Sequence, residues 1–187
     1  MIINVRGTSG SGKSTLVRRV MERFNYKKPV KVDGRKQPYY YELTMLPFDP
    51  RPLFVLGHYE TACGGVDTLK SMDEIDALVR KLQPLGNVLY EGLLISSEYQ
   101  RVTKLGRDFP GRVHVVMLET PLEKCVEQIN QRRVARGNEK PVNPKNTISK
   151  FKSTLSVQNK LRREGLVSAP ILTFDRALDH VKVLLGV

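Results

Sequence analysis

Nine consecutive residues, Gly7-Thr8-Ser9-Gly10-Ser11-Gly12-Lys13-Ser14-Thr15, have the types and spacing to hold a nucleotide's phosphates. They form a complete G-x-x-x-x-G-K-[ST] loop. Its glycines let the backbone turn so that successive N–H groups converge on one anion. The Lys13 ammonium can reach the β- and γ-phosphates, and the Ser14 hydroxyl can ligate Mg²⁺. The helix that starts here adds its positive N-terminal end to the attraction. ATP and Mg²⁺ are the cofactors this chemistry implies.

Phosphoryl transfer also needs carboxylates. The apolar run Val88–Tyr90 ends in Glu91-Gly92, the position of a Walker B acid, so Glu91 joins Ser14 as a metal-side residue. A second loop, Gly57 to Asp67, follows the apolar run Leu53–Leu56 and carries His58, Tyr59, Glu60, Cys63, Gly64, Gly65 and Asp67. Ligands of open α/β sheets bind beyond the carboxyl ends of the strands. His58, Tyr59, Glu60, Gly64 and Gly65 are therefore candidate acceptor contacts. A carboxylate must orient the attacking hydroxyl and take its proton. Asp67 and Glu60 are both candidates, and Asp67 is preferred because Gly64-Gly65 allows close approach. His58 reads more readily as a hydrogen-bonding loop residue than as a base, and Cys63 as a small packed one.

Thr120 to Gly137 runs from a strand end into a long helix in which Arg132 and Arg136 share a face at i, i+4 spacing. Arginines at this point can clamp phosphates and stabilise the charge that develops as the γ-phosphoryl group leaves. Arg132 and Arg136 complete the candidate catalytic set with Lys13, Asp67 and Glu91. The following polar segment, residues 137–147 with Pro141 and Pro144, reads as a lid.

The elements that must position these groups follow from the apolar pattern. Ile2, Ile3 and Val5 mark a first strand, and Leu16, Val17, Val20, Met21 and Phe24 recur at helical spacing after the glycine loop. Further strands are expected at Leu53–Leu56, Val88–Tyr90, Val113–Leu118 and Ile171–Phe174, with helices around 71–83, 96–107, 121–136, 147–164 and 176–185. The alternation predicts an α/β fold: a five-stranded parallel sheet flanked by helices, in a single domain over 1–187. Residues 25–50 break the alternation. Asp33-Gly34 marks an inserted β-hairpin that carries Lys27, Lys28, Lys31, Arg35 and Lys36 beside Tyr39, Tyr40 and Tyr41. This is either a nucleic-acid ribbon, with Arg35 and Lys36 on phosphates and tyrosines on bases, or a solvated hairpin. Strand alternation requires at least one of the tyrosines to serve packing.

With 31 basic and 19 acidic residues the net charge is +12. Nucleotide phosphates need only a few cations, so this excess points to a polyanionic partner, with nucleic acid first. Lys145, Lys150, Lys152, Lys160, Arg162 and Arg163 add a basic run after the lid. No stretch approaches the length of a membrane span. Cys63 and Cys125 are the only cysteines and suggest neither a disulfide framework nor a metal cluster. The first residues enter a strand rather than a leader sequence, and a cytoplasmic location is the expectation.

The glycine loop, the strand ending Glu91-Gly92 and the segment Thr120-Pro121…Arg132…Arg136 resemble the P-loop kinases of the nucleoside-monophosphate-kinase and polynucleotide-kinase type. More narrowly, Gly34-Arg35-Lys36-Gln37-Pro38, the stretch Gly57 to Gly65 and Asn143-Pro144-Lys145-Asn146-Thr147 resemble a bacteriophage-encoded group that includes 5-hydroxymethyluracil DNA kinases. That resemblance implies ATP- and Mg²⁺-dependent phosphorylation of the base's hydroxymethyl group within DNA, a step in thymidine hypermodification, in the cytoplasm of the host cell. Reaching a base hydroxyl in a polymer calls for the base to leave the stack. Two alternatives stand beside it: a kinase of a nucleoside monophosphate or other small molecule, and an ATP-dependent switch that binds nucleic acid with little transfer. Charge and the 25–50 insertion favour the first reading over the small-molecule kinase. The lid arginines and acceptor-side acids favour a kinase over a switch.

Overall fold

The computed structural model describes residues 1–45, 51–61 and 64–187. Five strands run parallel: β1 (Ile2–Arg6), β4 (Leu53–Leu56), β5 (Asn87–Glu91), β6 (Val113–Leu118) and β7 (Ile171–Leu172). Two more, β2 (Tyr26–Val30) and β3 (Tyr40–Thr44), form the inserted hairpin. The sheet order is β2-β3-β4-β5-β1-β6-β7. The expected five parallel strands are therefore part of a seven-stranded mixed sheet, and the hairpin is its continuation rather than a separate ribbon. The cause is the edge of β4. Its outer N–H and C=O groups need partners, and β3 supplies them through the antiparallel register Tyr40↔Leu56 to Leu43↔Leu53.

This docking decides what the tyrosines do. Tyr41 and Leu43 point into one core layer, while Tyr40 meets Phe54 edge-on in the other, their ring centroids 5.9 Å apart. The Tyr39 hydroxyl donates to Glu74 at 3.0 Å. All three rings have partners in the fold, so the base-stacking option is withdrawn for Tyr39, Tyr40 and Tyr41.

Among the described residues there are six helices: α1 (Lys13–Met21), α2 (Met72–Leu82), α3 (Gln100–Asp108), α4 (Leu122–Val134), α5 (Pro144–Glu164) and α6 (Phe174–Leu185). Residues of α2, α3 and α5 share one core layer, and residues of α1 and α6 share the other. Short 3₁₀ turns at Val66–Thr68 and Ile95–Ser97 follow the acceptor-side loop and β5. The Ser71 hydroxyl caps α2 by accepting from Glu74 N at 3.1 Å.

Several boundaries differ from the sequence expectation. The helix expected from residue 96 begins at Gln100, behind the 3₁₀ turn Ile95–Ser97, and the one expected from residue 176 begins at Phe174. Helix α5 begins at Pro144, with Asn143 as its cap accepting from Lys145 N at 3.0 Å. The last four residues of the expected 137–147 lid are thus helical, and the connecting loop is 135–143. Proline suits the first turn because its missing N–H would have no helical partner there. Strand β7 stops at Leu172 because Phe174 already opens α6. Among the described residues, no helix is long and apolar enough to cross a membrane. Cys63 lies outside the described residues.

Candidate active site

Lys13, the first residue of α1, is buried and its ammonium donates to the carbonyls of Gly7 at 2.9 Å and Thr8 at 3.0 Å. The loop is braced from three sides. Ser96 Oγ donates its one proton to Gly92 O (2.6 Å), lies 3.1 Å from Gly7 O, and accepts from Gly7 N at 3.3 Å. The Thr120 hydroxyl donates to Ser11 O (2.9 Å), and the Thr8 hydroxyl to Thr147 O at the start of α5 (3.4 Å). Gly10 has a φ of +77° and lies so close to α4 that a Cβ there would overlap the carbonyl oxygen of Cys125. No other residue fits this position.

Glu91 closes the cleft floor from β5. It is 2% exposed and accepts from Ser14 Oγ at 2.7 Å. Burial pushes its carboxyl above the usual carboxylate range, with Lys13 and the Ser14 bond pulling the other way. Burial also holds Lys13 below its ordinary value, opposed by Glu91 and Asp67 and reinforced by Arg132. Cation and acids thus share one poorly solvated field. Gly65 (φ +88°) lets the acceptor-side loop touch this floor: a Cβ would stand 2.6 Å from Glu91 Oε1.

Asp67, in the first 3₁₀ turn, accepts from Leu93 N (2.7 Å, Oδ2) and Leu94 N (3.2 Å, Oδ1). Its carboxylate is fixed in orientation, and each oxygen keeps a free lone pair. A cleft of about 340 Å³ collects Ser9 to Thr15, Gly64, Asp67, Glu91 and Arg132, with Leu93, Gln128 and Gln131 beside them. The expected P-loop, metal-side, acceptor-side and arginine groups therefore meet in one recess.

The remaining candidates stand outside its lining. His58 is buried in an isolated bridge to Gly65, and burial lowers its imidazole pKa. Tyr59 is a core residue, its ring 6.3 Å from that of Tyr41. Glu60 is exposed. Arg35 spans from the hairpin turn to Thr68, donating to its carbonyl at 3.1 Å, and Lys36 is exposed. Arg136 lies beyond the end of α4, and Arg133 ties that end to the loop by donating to Lys140 O at 2.8 Å.

Several positioning residues escaped the sequence reading. Arg18 donates to the carbonyls of Tyr59 (3.1 Å) and Thr61 and so ties the acceptor-side loop to α1. Its i, i+4 spacing from Ser14 was an available signal. Ser96, Gln128 and Gln131 carried none.

The cleft suits a Mg²⁺–nucleotide. Ser11 Oγ is buried against Gly7 without a protein hydrogen-bond partner among the described residues, leaving a polar atom of the loop for a ligand to satisfy. Ser14 and Glu91 offer the one or two oxygens that Mg²⁺ takes from a protein when phosphates and water supply the rest.

Residues 1–173 match a family model described as 5-hmdU DNA kinase. The chain is similar to the 5-hmdU DNA kinase of Pseudomonas phage PaMx11, at 52% identity covering 98% of this chain and 96% of that protein. The 5-hmdU DNA kinase of Pseudomonas phage M6 is 27% identical with the same coverages. Among solved structures, a gluconokinase from Sinorhizobium meliloti 1021 aligns with a TM-score of 0.48 and 15% identity, covering 98% of this chain and 90% of that one. Deoxyadenosine kinase from M. mycoides aligns over the full length of both chains with a TM-score of 0.44 and 12% identity.

Proposed function

This chain belongs to the 5-hmdU DNA kinase family, and from that premise we propose how its cleft moves a phosphoryl group from ATP to the hydroxymethyl oxygen of 5-hydroxymethyluracil in DNA. The observation that carries the reading is the convergence of Lys13, Ser14, Asp67, Glu91 and Arg132 on one recess.

The P-loop amides and Lys13 hold the phosphates, Lys13 keeping a third N–H beyond the two it gives to Gly7 and Thr8. Ser14 and Glu91 would hold Mg²⁺, which would supply neutralising charge to the phosphates. Asp67 orients the acceptor hydroxyl. The oxygen bonds to the γ-phosphorus as the bond to the β–γ bridging oxygen breaks, the proton passes to Asp67, and ADP departs with the electron pair. Arg132 stabilises charge on the transferring group.

DNA reaches the cleft across a basic rim. Tyr40 pairs with the last residue of β4, so the turn 31–39 stands at the carboxyl edge of the parallel strands. Lys31, Arg35 and Lys36 border the acceptor side there. Lys145 opens α5 on the P-loop side, and Arg136 and Lys140 flank it. Lys160, Arg162 and Arg163 lie about 20 Å further down α5, off the rim. The cytoplasm of the host cell is the place of action this substrate implies.

The test is incubation with labelled ATP against hydroxymethylated DNA, ordinary DNA, RNA ends and free nucleotides, with Lys13→Ala as background. Label confined to hydroxymethylated DNA is expected. Label on free nucleotides alone would overturn the reading.

A further inference from the structure

The C5 substituent of a pyrimidine in duplex DNA lies on the floor of the major groove, about 8.5 Å deep. The reacting end of this cleft is also a floor. Lys13 and Glu91 are buried, and Gly64, Leu93, Gln128 and Arg132 wall them in. Two recesses cannot bring their floors together, so the base has to turn out of the helix to be phosphorylated. Proteins that open a base step commonly fill it with an apolar side chain.

One side chain is placed for that role. Leu94 is 59% exposed. Among the described residues it is the only strongly exposed large apolar side chain that adjoins a cleft-lining residue in the chain, Leu93. Its backbone is fixed. Asp67 holds the amides of Leu93 and Leu94, buried Ile95 anchors the next position, and Ser96 ties the turn to Gly92 and Gly7. This exposed leucine stands on a rigid turn linked both to the acceptor-side carboxylate and to the P-loop, and most of its surface faces solvent.

We propose that Leu94 enters the DNA base stack and occupies the space the target base leaves as it turns into the cleft. The proposal rests on the reading of DNA as acceptor. It sets the step between adjacent base pairs as the binding site of Leu94, and it makes Asp67 the link between base extrusion and hydroxyl orientation.

The experiment compares wild type, Leu94→Ala and Leu94→Met on one 5-hydroxymethyluracil presented in a duplex and in the same oligonucleotide single-stranded. In a single strand there is no paired stack to hold open. Leu94→Ala is expected to lower kcat/KM on duplex by about tenfold or more while changing single-strand kcat/KM by less than about twofold. Leu94→Met should retain duplex activity. A 2-aminopurine beside the target should brighten on wild-type binding and less with Leu94→Ala. Equal loss on both substrates, no loss on either, or wild-type activity confined to single strands overturns the proposal. Wild-type inactivity on both DNA forms would instead remove the acceptor reading, and the role of Leu94 with it.

Discussion

At the scale of single residues, the cleft sets two carboxylates in different surroundings and so gives them different work. Glu91 is enclosed and its carboxyl is raised by burial. Its ionised form is the one that accepts from Ser14. A raised carboxyl takes up its proton earlier as pH falls, so the acid limb of the kcat/KM profile should lie above the ordinary carboxylate range. A limb within the ordinary range would contradict this assignment, as would a residual Glu91→Gln activity that kept the limb. Asp67 lines the cleft whereas Glu60 is exposed and outside it. Asp67→Asn should therefore cut transfer by on the order of 10²-fold or more with ATP affinity nearly intact, and Glu60→Gln should stay near wild type. The reverse pattern in a single-turnover assay would move the base to Glu60. The P-loop and Glu91 were legible beforehand because strand–loop–helix grammar fixes both by position. Arg18 was passed over despite its spacing from Ser14, since its targets are backbone carbonyls, which every sequence possesses.

At the scale of elements, the end of α4 separates the two lid arginines. Arg132 lies in the last turn and lines the cleft, while Arg136 follows the helix end and does not. Arg132→Ala should lower kcat by about 10²-fold or more, as for other groups that stabilise transition-state charge, with a smaller change in ATP binding. Arg136→Ala should cost far less. Equal losses in kcat for the two variants would place both side chains on the phosphates. Buried strands β4 and β6 were readable to the residue because uninterrupted apolar runs have clear ends. A turn in the hairpin was readable from Asp33-Gly34, but not the ends of its strands or its docking on β4. Register across a connecting segment leaves no periodic trace in sequence. The start of α5 was missed by three residues because Asn143-Pro144 reads equally well as loop and as a helix opening.

At the scale of the whole molecule, a net charge of +12 is distributed unevenly about the cleft. DNA affinity should fall steeply with salt as Lys and Arg contacts release counterions. Lys31→Glu with Lys36→Glu should lower the log–log salt slope by about one for each phosphate that is no longer neutralised, and by more than Lys150→Glu with Lys152→Glu on α5. A slope unmoved by the tip pair would put the DNA elsewhere. The same sheet that carries the rim ends in β2, whose Tyr26, Lys27, Lys28 and Pro29 are exposed. A polyanion gathers many copies of a cationic protein along one strand, where an open sheet edge is a template for chain-to-chain pairing. Two lysines repel a neighbouring copy at that edge, and Pro29 offers it no N–H. Removing these edge features should favour pairing between copies gathered on DNA: Lys27→Thr, Lys28→Val and Pro29→Val combined should scatter light on DNA at concentrations where wild type stays clear.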